Sequence, residues 1–260
     1  MTKALITCGT HPGVYFLEKW FPQFQFIYGD ASFIDQISAS QQLLLSAVSQ
    51  ADFIHQLLNI CLDQQINAVF AMSFSEQELL AEAVELFSEF NIHLYLPGLV
   101  TRKLLFNPAE YLQKLNFCGI KPVSHRVTSS FAEFSKACLQ LGYPTETLTV
   151  AAVQNPDLLW IVNDQHKTNS LNGKPVVSFT KAAKLFAANE QLLLRQFSPS
   201  KQKTIYASFI GGKLESVWNI GEIVSEELIK KIGTELQLNG LFEMDFQQEQ
   251  LFNIKPFFVK

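Results

Sequence analysis

The sequence predicts an α/β protein in which a domain with a parallel sheet is followed by an α+β domain with antiparallel sheets. In residues 1–96, short apolar runs alternate with segments whose apolar residues recur at helical spacing. This alternation predicts parallel strands joined by right-handed helical crossovers. From Leu148 to Trp218 the runs are mainly strand-like, and Gly211 with Gly212 marks a hairpin turn.

The first domain is predicted to contain four strands and two helices. The first strand leads into the turn-like sequence Gly-Thr-His-Pro-Gly at residues 9–13. Ser75 is the predicted N-cap of the second helix, because its hydroxyl can accept a hydrogen bond from a free helical amide. The predicted strands are Lys3–Cys8, Phe24–Tyr28, Ala68–Ala71 and Ile92–Leu96, and the predicted helices are Gln50–Gln64 and Ser75–Glu89.

The second domain is predicted to start with two helices around one strand and then to consist mainly of strands. Its domain limits are placed at residues 99–260, after a first domain of residues 1–98, with subdomains of about 99–190 and 191–260. The predicted helices are Ala109–Phe117, Ser130–Leu141, Thr180–Ala188 and Ser225–Leu236. The predicted strands are Val123–Val127, Leu148–Val153, Leu158–Val162, Val176–Ser178, Leu192–Phe197, Ile205–Ile210 and Leu214–Trp218, followed by a terminal pair between Gly240 and Phe257.

The composition argues against several classes of function. Only 17% of the residues are charged and the formal net charge is −4, which does not predict binding to nucleic acid or to an anionic membrane. The apolar runs are too short to span a bilayer. The five histidines lack the H-x-x-H spacing of a transition-metal site, and no G-x-S-x-G motif of a hydrolase is present. The four scattered cysteines, without a C-x-x-C pair, predict reduced thiols and a cytoplasmic location.

Several segments match one known family in their order and spacing. Residues 67–79 read NAVFAMSFSEQEL and residues 91–97 read NIHLYLP. They are followed by YLQKLNFCGIKPV at 111–123, FAEFSKACLQLGYP at 131–144, LLLRQF at 192–197, and the terminal strands GLFEMDF and FNIKPF. In this order they resemble the ATP-grasp enzymes, nearest to their carbamoyl-phosphate-synthase-like branch. The resemblance covers essentially the whole chain and implies a Rossmann-like pre-ATP-grasp domain followed by an ATP-grasp-like domain.

The resemblance also implies a chemistry. Such enzymes form an acyl phosphate from a carboxylate and ATP, and an amine or another nucleophile then displaces the phosphate. Two lysines and a glycine-rich loop hold the nucleotide phosphates, while two acidic residues and an asparagine hold Mg²⁺ through hard oxygen ligands.

Most of these positions carry other residue types in this sequence. The first lysine position falls at Asn107 and Pro108, the second at Asn163, and Gln196 replaces the glutamate of the strand along the adenine. In the last strand, Asn253, Lys255 and Phe257 replace a glutamate, the metal-binding asparagine and an arginine. The resemblance leaves Asn163, Lys174, Gln196 and Lys255 as candidate cofactor-binding residues and Glu243 and Asp245, which face one side of a strand, as candidate metal ligands. No catalytic residue is assigned.

Some residues allow two interpretations from the sequence. Residues 9–13 form either an anion-binding turn or a plain turn, and Lys167, Lys174 and Arg195 form either a rebuilt anion site or a solvated surface. Asp245 is either a metal ligand or the ion-pair partner of a lysine. Phe257 and Leu171 are expected to fill part of the nucleotide cleft.

Three functional hypotheses follow. The first is a degenerate ATP-grasp-like protein without ordinary Mg-ATP ligase activity, acting as a binding or partner subunit beside an intact ATP-grasp paralogue or as a homodimer. The second is a divergent, active carboxylate–amine ligase that uses ATP and Mg²⁺ with Lys174, Glu243 and Asp245 in relocated roles. The third is a protein that binds a small metabolite in an interdomain cleft.

Overall fold

The structure is a computed structural model, and it describes most of the chain. The described residues are 2–11, 14–32, 41–153, 155–164, 170–171, 174–187, 191–198, 202–219, 224–247 and 249–257. For residues 155–159, 174, 186 and 187 this description covers the backbone only.

The first sheet is parallel and has five described strands in the order β3-β2-β1-β4-β5. This confirms the parallel first half of the predicted fold. The two sides of the sheet are covered by separate apolar clusters, one around Phe53, Leu57 and Phe87 and one around Phe21 and Phe70. The strands are β1 (Thr2–Ile6), β2 (Phe24–Asp30), β3 (Gln42–Leu44), β4 (Ile66–Phe70) and β5 (His93–Leu94).

The helices of this half differ from the prediction at one place. The predicted helix Ser75–Glu89 is in fact two helices, because residues 81–83 form a turn. There the hydrogen bonds span three residues instead of the four of an α-helix, as from Ala83 N to Leu80 O. The N-cap is Ser73 rather than Ser75, since Ser73 and Glu76 form a reciprocal capping box. The helices are α1 (Phe16–Trp20), α2 (Phe53–Gln64), α3 (Phe74–Leu80), α4 (Val84–Glu89) and α5 (Leu99–Leu105).

Up to residue 105, three short described elements were not predicted, namely α1, β3 and α5. Each has at most seven residues, so its apolar pattern covers less than two helical turns or a few strand positions.

The second sheet has six described strands in the order β6-β11-β7-β8-β10-β9. Its pairs are antiparallel except for β8 with β10, which is parallel. Strand β11 pairs with β6 and β7, so the predicted subdomain limit near residue 191 separates it from its own sheet. The strands are β6 (His125–Thr128), β7 (Leu148–Ala152), β8 (Asn155–Val162), β9 (Ser170–Leu171), β10 (Lys174–Val177) and β11 (Leu192–Gln196).

Helices α6 (Pro108–Phe117), α7 (Phe131–Gln140) and α8 (Phe179–Ala183) belong to this part of the chain. The predicted helix Ser130–Leu141 is confirmed as α7, and Ser130 is its N-cap, with its hydroxyl accepting from the Glu133 amide. A 3-10 turn, Lys184–Ala187, replaces the second half of the predicted helix Thr180–Ala188.

The third sheet is antiparallel, with its described strands in the order β13-β12-β14-β15. Phe242, Met244 and Phe246 of β14 face a core with α6 and α9, while Glu243, Asp245 and Gln247 alternate with them. Asp245 pairs with Asn253 and Phe246 with Leu251, so Phe252 is the extra residue of a β-bulge. The elements are β12 (Gln202–Ile210), β13 (Lys213–Trp218), α9 (Glu226–Leu236), β14 (Gly240–Gln247) and β15 (Gln250–Pro256).

An aromatic cluster joins the third sheet to the first domain. The rings of Trp20 in α1 and Trp218 in β13 stack at 4.7 Å between centroids. Phe257 lies beside Phe16, with 5.4 Å between the ring centroids, and its carbonyl accepts a hydrogen bond from Gln77 Nε2 at 2.9 Å. The chain after β15 is therefore fastened to helices α1 and α3 of the first domain. Within the described part of the chain, no helix combines the length and the apolar character that a membrane span requires.

Candidate functional site

The space between the second and third sheets is filled with apolar side chains. Val123, Ile161 of β8, Phe197 after β11 and Phe252 of β15 form one cluster, and each is at most 2% exposed. The rings of Phe197 and Phe252 lie 5.8 Å apart. Leu171 and Val176 pack against the cluster from β9 and β10. We call this set of six residues the plug.

Arg195 is buried next to the plug. Its side chain is 1% exposed, its Nη1 donates to the Phe252 carbonyl at 2.8 Å, and its guanidinium lies 4.3 Å from the Phe252 ring centre. Its Nε has no hydrogen-bond partner among the described residues. Burial lowers the pKa of Arg195, while Tyr111 and Asp245 act to raise it. The guanidinium is therefore held inside the protein. The interpretation of Arg195 as part of a solvated surface is wrong.

Gln196 does not point into the same space. Its Nε2 donates to the Leu141 carbonyl at 3.0 Å, behind the second sheet. Gln247 of β14 instead reaches this strand, donating to Gln196 O at 3.4 Å and accepting from Ser198 N at 3.3 Å. Backbone groups at the end of β11 are thus bonded to the third sheet. Sequence reasoning missed Gln247 because glutamine at a strand end is an ordinary surface residue.

The other predicted nucleotide-binding residues are separate from one another. Asn163 is half-buried and donates to Thr147 Oγ1 at 3.0 Å. Lys174 begins β10, but its side chain lies outside the described residues, as do residues 165–169, which include Lys167, and residues 172–173. The described residues therefore bring no second cation beside Arg195.

The two acidic residues of β14 share one face of the strand, and each already has a partner. Glu243 forms an ion pair with Lys255 at 2.9 Å. Asp245 is 8% exposed and accepts from Thr204 Oγ1 at 2.7 Å. The sequence suggested Asp245 as the ion-pair partner of a lysine. In the structure Glu243 forms such a pair, with Lys255 on the neighbouring strand β15.

These residues do not fit a magnesium ion. Among the described residues no group of three or more His, Cys, Asp or Glu side chains is placed to hold a metal. Lys255 puts a positive charge where the resemblance implies a metal ligand, and a cation there repels Mg²⁺. Asn253 of β15 has a side-chain amide, and its oxygen accepts a hydrogen bond from Tyr111 Oη at 3.1 Å.

Tyr111 of α6 is a further buried polar residue that the sequence did not reveal. Its hydroxyl also accepts from Ile254 N at 3.4 Å. Burial raises the pKa of Tyr111 to about 12, so the hydroxyl stays protonated at neutral pH. Only the fold brings α6 and β15 together, so no local pattern could have found this contact.

The turn after β1 is occupied by a carboxylate. Thr10 donates to Asp30 Oδ2 through its amide at 3.0 Å and its hydroxyl at 2.6 Å. Burial acts to raise the pKa of Asp30, but the hydrogen bonds from Thr10 and from backbone amides outweigh it and lower the pKa. An anion at Thr10 would meet this negative charge, which favours the interpretation as a plain turn; residues 12 and 13 lie outside the described residues.

The prediction that Phe257 fills the cleft is wrong, because this ring belongs to the aromatic cluster with Trp20. Leu171 is one of the residues of the plug, as predicted. The four cysteines are free thiols, and burial raises the pKa of Cys61 and Cys138 to about 12.

Comparison with known proteins gives a match at the level of structure only. No protein-family model and no curated protein matches the sequence. N5-carboxyaminoimidazole ribonucleotide synthetase from Thermotoga maritima superposes with a TM-score of 0.59 at 14% identity, over 98% of this chain and 68% of that chain. The ADP-complexed N5-carboxyaminoimidazole synthetase from Staphylococcus aureus gives 0.61 at 14% identity, over 98% and 70%. L-amino acid ligase from Bacillus licheniformis gives 0.55 at 12% identity, over 99% and 67%.

The chain shares its arrangement of a parallel-sheet domain followed by two further sheets with these solved structures. The chain has the ATP-grasp fold, as its sequence resemblance predicted. At these identities the likeness is one of fold.

Proposed function

We propose that this protein is a degenerate member of the ATP-grasp fold that lacks ordinary Mg-ATP ligase activity and acts as a binding or partner subunit. The supporting observation is the plug with Arg195, which fills the space between the second and third sheets.

The energy of opening this space supports the proposal. A nucleotide between the sheets would have to displace Phe197 and Phe252, and exposing two buried aromatic rings costs about 3–6 kcal/mol. A cost of that size weakens the apparent affinity by about two to four orders of magnitude. Breaking the Glu243–Lys255 ion pair to make room for Mg²⁺ adds to it.

Isothermal titration of the intact protein with ATP, with and without Mg²⁺, tests the proposal. We expect no magnesium-dependent heat at micromolar ATP. Phe252→Ala serves as a matched variant, since removing the ring should increase any residual nucleotide binding. Micromolar, magnesium-dependent ATP binding by the unaltered protein would overturn the proposal.

A second candidate is a divergent ATP-dependent carboxylate–amine ligase. It is favoured by the structural neighbours, among which are an L-amino acid ligase and D-alanyl-alanine synthetase A from Vibrio cholerae. In this case ATP and Mg²⁺ would be the cofactors, and Asn163, Lys174, Lys255, Glu243 and Asp245 would change their present partners on binding. Phosphate release across a panel of amino acids and amines tests it, with Asp245→Asn as the inactive control; silence across the panel counts against it.

A partner role has support on the surface formed by α3 and α5. Phe74 of α3 and Leu99 and Val100 of α5 are large apolar side chains that are 40–84% exposed. We propose a second copy of the chain or an intact ATP-grasp paralogue as the partner, in the cytoplasm. Light scattering behind size-exclusion chromatography measures the mass alone and after mixing with such a paralogue. A monomer in both experiments would leave the third hypothesis, a small-metabolite binder, to be tested by a thermal-shift screen.

A further inference from the structure

A polar pocket lies away from the plug, at the edge of the first sheet beside β5. Its volume is about 520 Å³, which is in the range of small-molecule sites. It lies between the end of α4, strand β5, the start of α5 and the loop from α9 to β14. Its polar lining residues are Ser88, Asn91, His93, Thr101, Gln237 and Asn239.

The two walls of this pocket are fixed to each other. Thr101 Oγ1 donates to Gln237 O at 3.2 Å, and Asn239 Nδ2 donates to Leu96 O at 3.0 Å. Gly240, next to the pocket, packs so closely that a Cβ there would lie 2.6 Å from Leu96 N. The pocket is therefore pre-formed rather than a gap between loosely associated domains.

Two lining residues have an uncommon backbone conformation. Asn91 has φ +58° and Gln237 has φ +52°, in the left-handed region that side chains other than glycine rarely adopt. Asn91 follows α4 and Gln237 ends α9. At the end of a helix this conformation is common because it lets the chain reverse direction, so both residues turn the chain where it lines the pocket.

The lining offers hydrogen bonds without charge. None of the described residues that line the pocket is Asp, Glu, Lys or Arg. Burial lowers the pKa of His93, so this imidazole is neutral at pH 7. Its Nε2 is buried and has no hydrogen-bond partner among the described residues, which is uncommon for a buried polar atom. Amides, hydroxyls and one neutral imidazole supply donors and acceptors above an apolar floor of Val84, Ile92 and Leu94.

From these observations we propose that the pocket binds an uncharged ligand, of nucleoside or monosaccharide size, that presents both hydrogen-bond donors and acceptors. A charged ligand would lose solvation there without meeting an opposite charge. This site is separate from the plug, so it does not depend on whether the cleft between the sheets admits ATP.

Gly98 provides a way to block the pocket without disturbing the fold. It lines the pocket, its φ of −64° suits any residue, and a Cβ there would meet no atom within 4 Å. Gly98→Phe should therefore fill the pocket, and Gly98→Ala is the matched control that leaves it open. His93→Phe removes the ring nitrogens, and His55→Phe makes the same change on the exposed side of α2.

Ligand-observed NMR titration of the intact protein tests the proposal. The uncharged compounds are adenosine, uridine and glucose, and their charged counterparts are orotate and glucuronate. We expect at least one uncharged compound to bind. Binding of a nucleoside or of glucose would then show which of the two kinds of ligand the pocket takes. Gly98→Phe and His93→Phe should weaken it about tenfold or more, whereas Gly98→Ala and His55→Phe should change it less than about twofold. Thermal unfolding checks that all variants fold. The proposal is overturned if no uncharged compound binds, if the charged counterparts bind equally well, or if binding survives in Gly98→Phe.

Discussion

The cleft between the second and third sheets and the pocket beside β5 lie in one fold but consist of opposite kinds of groups. The cleft is dry and aromatic, and its one buried cation is bonded to a backbone carbonyl. The pocket is lined by uncharged polar groups, with an unpartnered imidazole nitrogen among the described atoms. Under the function proposed above, the place where the fold holds its ligand has become part of the core, while another junction stays open. Each prediction below alters one side of this contrast.

The largest effect is expected from Phe252→Ala. Phe252 is 1% exposed and contacts both Phe197 and Arg195, so its loss leaves a cavity between two sheets. We expect the free energy of unfolding in urea to fall by about 3–5 kcal/mol. Phe117→Ala, at a site that is 81% exposed, is the control and should change it by less than about 0.5 kcal/mol. Equal effects of the two substitutions would show that the plug is not a packed core.

Arg195→Met should have a smaller effect of the same sign. The substitution keeps much of the apolar volume but leaves the Phe252 carbonyl without its buried donor. The cost of losing such a hydrogen bond is about 1–3 kcal/mol, measured by urea unfolding. An unchanged or increased stability would mean that desolvation of the guanidinium outweighs its contacts.

The stability of the protein should depend on pH because of two half-buried histidines, one beside the pocket and one near the cleft. Burial lowers the pKa of His93 beside the pocket and of His125 at the start of β6. The unfolded chain then binds more protons than the folded one below the ordinary histidine pKa of about 6.5, so stability should fall as the pH drops from 7 towards 5. His93→Phe and His125→Phe should each flatten this slope in denaturation measured across the range.

The smallest effect is expected from Glu243→Gln. The Glu243 and Lys255 side chains are 22% and 33% exposed, so solvent screens their attraction. We expect a loss of about 0.2–1 kcal/mol that shrinks at high salt, measured by urea unfolding at two ionic strengths. A loss above this range would indicate a buried, tightly coupled pair. If instead Mg²⁺ stabilised the original protein and not this variant, Glu243 would be a metal ligand.

Sequence reasoning predicted the order of domains, most strands and the helices that begin near Ser130 and Ser225, because these depend on local patterns. It missed the break at residues 81–83, where the apolar stripe continues although the helical hydrogen bonds do not. It expected Phe257 rather than Phe252 in the cleft, because the bulge that directs Phe252 is a property of strand pairing. The contacts of Tyr111 with Asn253 and of Gln247 with Ser198 join residues far apart in the chain, so only the folded structure reveals them.

The stacked indoles of Trp20 and Trp218 have a practical consequence. The sequence contains three tryptophans, and these two lie face to face across the junction of the first and last parts of the fold. Rings this close couple their electronic transitions, so near-ultraviolet circular dichroism and intrinsic fluorescence report their separation directly. Any hinge motion at that junction can thus be followed optically, without an attached label.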